Sequence, residues 1–420
     1  MDDGGSTEPN LSVATPAVDA RRSDVACPAP EPVAEVSRGW TCGPHPRFTV
    51  VVWVAIAAVA VGVAWPGAVA VRAWLRPPRR MLSDDWDLFN AIRMAIVETG
   101  WAVWVFAMGA AVGSFLNVVV HRLPAGRSVI FGRSACPACG TGISPQDNVP
   151  ILGWLLLAGR CRHCGALIDA HYPLVEASVA GFCLALCYAE LLSGGLTLPI
   201  RDPNFFAGLV WIVLYAKWDL ISICVYHIAT VAITLAWALI AAEGRRIPAR
   251  HAATAIVVMG VLPVAFPWLH PVPLVHPPLV SEFAGVPLAF DRPEWLWHGL
   301  AVSLAGMAVG AAVGTGLAIL GRADHGRRPD DGEAACGAAA PSLMSILALV
   351  GAVFGWQAVP AVAVLALLAA AVARGWARWI GRRGPIPLEL CVVGAVVVHL
   401  FLWRWIVAAW SAGFPVGAPA

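Results

Sequence analysis

Charge is scarce in this chain. Asp, Glu, Lys and Arg together make up 13% of its 420 residues and nearly cancel, leaving a formal net charge of +2. So even a balance argues against a protein that holds nucleic acid through bulk charge. With 59% hydrophobic residues and a mean hydropathy of +0.72, there is too little polar surface to coat a water-soluble globule. The chain therefore reads as an integral membrane protein. It also shows no cleavable secretory leader, no soluble-type repeat, and no glycine-rich loop of the kind that marks a nucleotide site.

What is present is a series of apolar runs. Residues 1–47, rich in Pro, Ala, Ser, Asp and Glu and without apolar periodicity, read as a disordered tail. Residues 48–94 read as an extra membrane anchor, Phe48 to Val71, followed by a polar connector carrying Arg72, Arg76, Arg79 and Arg80. Further spans are expected at 95–120, 174–192, 205–218, 225–242, 252–268, 297–320, 343–372 and 388–410, the seventh as two short helices meeting around Pro360. The expected fold class is thus all-α, a polytopic membrane helical bundle of about eight to ten spans. Tryptophans near the ends of runs, among them Trp101, Trp211, Trp356 and Trp403, fit an aromatic belt.

The polar exception is the loop at 121–173. It contains Cys136-Pro-Ala-Cys139-Gly140 and Cys161-Arg-His-Cys164-Gly165. Two Cys-x-x-Cys turns can close a tetrahedral sulfur shell around Zn²⁺, and a glycine after each pair suits a sharp turn. Two disulfides, or idle thiols, are the plainer alternatives. The loop carries Arg122, Arg127, Arg133, Arg160 and Arg162 against Asp147 and Asp169, which places it in the cytoplasm by the positive-inside rule. A reducing compartment favours zinc over disulfides. The Arg72–Arg80 cluster is basic too, and the two cannot both be cytoplasmic if the run between them crosses once. The remaining cysteines are scattered, and Cys183 and Cys187, on one helix face, read as core filling.

One further carboxylate stands out. Asp219 lies where one expected span ends and the next begins, and a carboxylate at membrane depth is a functional candidate by default. An interfacial ion pair with Lys217 explains it equally well.

From Gly113 to Glu176 the sequence resembles the amino-terminal half of the type IV prepilin peptidases, bifunctional inner-membrane enzymes that cleave the leader of pilin-like precursors and N-methylate the new terminus. The matching residues are Gly113-Ser-Phe-Leu-Asn117, His121-Arg122-Leu-Pro124, both cysteine pairs, Asp147-Asn148-Val-Pro150, Gly159-Arg160-Cys161-Arg162 and Tyr172-Pro173-Leu-Val-Glu176. The resemblance implies residues 95–176 as a methyltransferase-type region with its zinc loop at 121–173, and 177–420 as an aspartic (A24-type) membrane peptidase region with an insertion at 244–296. It implies a structural Zn²⁺ on Cys136, Cys139, Cys161 and Cys164, S-adenosylmethionine for methylation, and pilin-like or pseudopilin precursors as partners. Its setting would be the bacterial inner membrane, crossed several times in contact with lipid, with the zinc loop cytoplasmic. Glu176 would take a proton from, or hold, the new amino terminus, with Gly113, Asn117 and Arg122 near the substrate. Each of these also has a structural reading: Asn117 and Arg122 pinning the loop to a helix end, and Glu176 pairing with Arg122.

The peptidase half departs from the family pattern. Asp219 would be the surviving catalytic aspartate, but its motif ends in Tyr226-His227. Counting back from Gly355-Trp356, the Gly-x-Gly-Asp motif falls on Ala340-Pro341-Ser342-Leu343, with Leu343 at the aspartate. An aspartic dyad needs two close carboxylates sharing a proton, and losing one such group removes about 10²- to 10⁴-fold of the rate. Asp324, Asp330, Asp331 or Glu333 would have to fold back to replace it. Two other readings follow: a degenerate, non-cleaving member serving as scaffold or pilin-binding protein, and a transporter lined by Asp219.

Overall fold

The computed structural model describes residues 88–199, 216–270, 294–325, 339–379 and 387–413, together with residues 208, 209, 212 and 272. The tail at 1–47, the anchor at 48–71, the Arg72–Arg80 cluster, most of the span expected at 205–218, and Asp330, Asp331 and Glu333 lie outside the described residues. Asp324 falls near the end of a helix, without a described side chain.

The chain is an all-α membrane bundle. Helix α1 (Leu88–Arg122) leads into the cysteine loop, which carries a 3₁₀ turn (Pro145–Asn148) and the short α2 (Leu152–Leu156). Helix α3 (His171–Leu186) leaves the loop and runs on as a π-helical turn, Cys187–Leu192. Helix α4 (Trp218–Ala242) returns, and β1 (Ile247–Pro248) and α5 (Ala249–Ala265) follow. Then come α6 (Glu294–His325), β2 (Ala339–Ala340), α7 (Ser342–Phe354), α8 (Ala358–Trp379) and α9 (Leu388–Gly413). Among the described residues, six helices are long and apolar enough to cross a membrane, Ile96–Arg122, His171–Leu192, Trp218–Ala242, Gly299–Leu320, Ala358–Trp379 and Leu388–Ala409. Helices α5 and α7 are apolar but shorter.

The break in the expected 343–372 run is at Gly355 rather than Pro360. Gly355 takes φ +84° and ψ 167° just past the last turn of α7, a backbone conformation open almost only to glycine. Pro360 instead sits in the first turn of α8, where a missing N–H deprives the helix of nothing.

Backbones pack closely where side chains vanish. Gly306, Gly310 and Gly314 recur every fourth residue on α6, and a Cβ at any of them would collide with the α7 backbone at Gly351, Leu347 and Leu343. Lipid supplies no hydrophobic drive between helices, so such small-residue seams hold them by close contact. The same device joins α1 to α3: a Cβ on Gly109 would lie 2.8 Å from Ala180 Cα, and one on Gly113 would lie 2.6 Å from Glu176 Cα.

Buried backbone polarity is repaired locally. Pro263 inside α5 has no N–H to give the carbonyl of Met259 four residues back, and the Tyr226 hydroxyl donates to that carbonyl at 2.7 Å. At the end of α7 the Ala352 carbonyl accepts from Ser303 Oγ at 3.2 Å and lies 2.9 Å from His270 Nε2.

The two ends of the bundle are defined by cross-contacts. At the loop end, Arg245 just past α4 donates to the carbonyls of Val120 and His121 at the end of α1, and Ile247–Pro248 pair with Ala339–Ala340 just before α7. At the far end, Trp268 donates to Ser222 in the first turn of α4, and Arg404 donates to the carbonyl of Leu196.

Candidate functional site at the cysteine loop

The four cysteines converge. Their Sγ atoms all lie within 4.8 Å of one another, with Cys136 and Cys164 at 3.9 Å. Two local folds of the same design bring them there. Cys136 N–H donates to Thr141 and Gly140 N–H returns to Cys136, while Ala135 and Gly142 form a bridge. In the second half Cys161 N–H donates to Ala166, Gly165 N–H returns to Cys161, and Arg160 bridges Leu167. Gly140 and Gly165 both take φ +70°, the left-handed turn that closes each knuckle. A tetrahedron with metal–sulfur bonds of about 2.3 Å has sulfur–sulfur edges of roughly 3.8 Å, so these thiols can hold one metal ion and leave no open position.

The metal-free thiols differ from one another. A hydrogen bond to Thr141, 3.4 Å from its sulfur, pulls Cys139 down to about 6. Hydrogen bonds from backbone N–H groups lower Cys161 as well. For Cys164 the Ala166 N–H pulls downward, but lost hydration and the three neighbouring thiols outweigh it and hold the group at about 11. Four anionic sulfurs so close repel each other, and a bound dication removes that conflict.

Around the cluster the loop is tied by charge. Arg162 reaches Asp147 with two nitrogens, at 2.8 and 2.6 Å, and Ser144 Oγ donates to the same carboxylate at 2.8 Å. Arg162 and Ser144 hold Asp147 down at about 2. Arg122, the last residue of α1, spends its fork on the carbonyls of Ser128, Phe131, Gly132 and Arg133. Asn117 Nδ2 donates to the carbonyl of Tyr172, and Tyr172 Oη lies 2.9 Å from His121 Nε2.

Glu176 lies beneath the loop, buried at 8% exposure, and accepts from the Ile151 N–H at 2.6 Å, with Ser114 as a further hydrogen-bond partner. Its partners are thus not Arg122. Gly113, Asn117 and Glu176 therefore meet on one seam between α1 and α3, and Arg122 acts one turn further out, on the loop backbone.

Asp219 is not among them. It sits buried in the first turn of α4, at the far end of the bundle. Leu343 lies in the first turn of α7, three residues past the β2 strand that pairs with β1 at the loop end. The 23 residues from Asp219 to Ala242 rise roughly 35 Å at 1.5 Å per residue. Positions 219 and 343 therefore lie at opposite ends of the bundle, where two carboxylates would be too distant to share a proton. The α4 end that does share the loop end with Leu343 carries Ala241, Ala242 and Glu243.

The structure adds a pair that the sequence reading passed over. Glu190, in the π-helical turn, has Oε1 2.7 Å from His227 Nδ1 on α4, and both side chains are fully buried. Cys187 and Cys224, three residues before each, bring their sulfurs to 3.7 Å. The available signal was Glu190 itself, an ionisable residue inside an apolar run.

A helical membrane bundle with a four-cysteine loop clamped over a buried glutamate is the class that the geometry defines. Residues 107–190 match the model of the Bacterial Peptidase A24 N-terminal domain. Relatives named prepilin leader peptidase/N-methyltransferase match in sequence. The protein of Myxococcus xanthus is 50% identical over 76 residues, 18% of this chain and 23% of its own. That of Klebsiella pneumoniae is 44% identical over 108 residues, 23% of this chain and 47% of its own. That of Pseudomonas aeruginosa is 40% identical over 96 residues, 17% and 33% respectively. The chain thus spans between about a quarter and a half of these relatives. No solved structure matches it.

Proposed function

We propose that this chain is a prepilin-peptidase-like membrane protein that receives pilin-like or pseudopilin precursors at the cysteine-loop end and methylates their processed amino terminus without cutting the leader. One observation carries the reading. The Gly113–Glu176 unit, inside the stretch that matches the family model, is assembled as a single clamped site, whereas position 343 holds leucine and Asp219 stands at the other end of the bundle.

In this reading Cys136, Cys139, Cys161 and Cys164 hold a structural Zn²⁺ that fixes the loop. Arg122 and Asn117 position the loop backbone, and Gly113 lets α1 approach Glu176. The Glu176 carboxylate accepts the proton that the pilin ammonium must lose before its nitrogen can attack. S-adenosylmethionine, when bound, supplies the methyl group, and S-adenosylhomocysteine leaves. The loop faces the cytoplasm of the bacterial inner membrane, as its arginines argue. A scaffold without chemistry is the second reading, favoured by the donors of Asn117 and Arg122 being spent on backbone carbonyls.

The test uses the purified full chain, a pilin with its leader already removed, and labelled S-adenosylmethionine. Label should enter the pilin terminus and fall about 10²-fold or more with Glu176→Gln, which removes the proton acceptor. Zinc content should be unchanged in that variant. No incorporation by the native chain would leave the scaffold.

A further inference from the structure

Ile130 and Phe131 are 79% and 80% exposed, adjacent large apolar side chains on a loop that also exposes Leu156. They are not on a free tether. Arg122 donates to the carbonyls of Ser128, Phe131, Gly132 and Arg133, at 3.1 to 3.3 Å, and Ser128 Oγ accepts from the Phe131 N–H at 3.0 Å. The turn is therefore preformed, and it is bound to the residue that ends the first described span, Ile96–Arg122. One arginine side chain, about 7 Å long, separates the tip from that span end, a distance comparable to the headgroup layer on each side of the hydrocarbon. Arg127 and Arg133, both exposed, flank the tip.

We infer that the 128–133 turn is an interfacial anchor, with Ile130 and Phe131 inserted among the acyl chains and Arg127 and Arg133 on anionic headgroups. The occupant is the lipid surface of the protein's own bilayer, argued from the short tie to the span end and from the charge that flanks the apolar pair. Anchoring holds the cysteine loop flat on the membrane, so that a substrate leaving the bilayer meets it at a fixed height. The inference does not depend on methylation.

The experiment places a benzophenone amino acid at position 131 of the full chain, reconstituted in phosphatidylcholine vesicles with or without phosphatidylglycerol. After illumination, mass spectrometry should find lipid adducts at 131, more of them with phosphatidylglycerol. Arg127→Gln and Arg133→Gln should each reduce the anionic-lipid adduct by up to about fivefold while zinc content is kept. Adducts to a second copy of the chain or to an added pilin, or no lipid adduct in either vesicle, would overturn the anchor.

Discussion

The Ile151 N–H donates to Glu176 Oε2 at 2.6 Å from a left-handed backbone, φ +63°. A β-branched residue adopts that conformation at a cost of about 1–3 kcal/mol, so the contact is held by the folds on both sides of it. Glu176→Ala should cost about 1–3 kcal/mol, because the part-buried Ile151 N–H loses its acceptor, and loosen the loop to protease. Ile151→Gly relieves the strain and keeps the N–H, and should stabilise by about 1 kcal/mol in denaturation of the detergent-solubilised protein.

Gly113 tests the seam. Gly113→Ala places a methyl 2.6 Å from Glu176 Cα, and backbone cannot yield as a side-chain tip would. Destabilisation of about 1–3 kcal/mol is expected. Gly181, with nothing near its Cβ position, should tolerate the same change when melting is followed in parallel.

Cysteine reactivity should be ordered. In metal-free protein at pH 7, Cys139, held at about 6, is largely thiolate, whereas Cys164, at about 11, is not. Iodoacetamide followed by peptide mass spectrometry should therefore label Cys139 well before Cys164. Zinc should protect all four.

Asp147 gives a pH signature. Its carboxyl is held at about 2 in the fold against 3.8 ordinarily, so the Arg162 and Ser144 contacts stabilise the loop above pH 3.8 and are lost as pH falls through 2. Comparing hydrogen exchange of the 144–165 amides in metal-free native and Asp147→Asn chains should show a difference that is constant from neutral pH to about pH 4 and vanishes near pH 2.

Much of this was legible in the sequence for physical reasons. Apolar runs that must satisfy their own backbone can only be helices, and Cys-x-x-Cys-Gly can fold few ways, so the bundle and the cysteine convergence followed directly. What stayed hidden depends on pairing across the bundle. That Asp219 and Leu343 occupy opposite ends is fixed by Arg245 reaching Val120 and by Ile247 pairing with Ala340, contacts between residues far apart in the chain. The Gly355 break was missed because Pro360 is the louder signal, yet proline in a first turn is harmless. Glu190 went unnoticed because its partner His227 is 37 residues away.

Leader cleavage measures the central claim most directly. The full chain, reconstituted with an uncleaved pilin-like precursor, should leave the leader attached over times in which an active prepilin peptidase removes it, and Asp219→Ala should change nothing. Leader release by the native chain that disappears in Asp219→Ala would contradict the account and restore Asp219 as a catalytic acid.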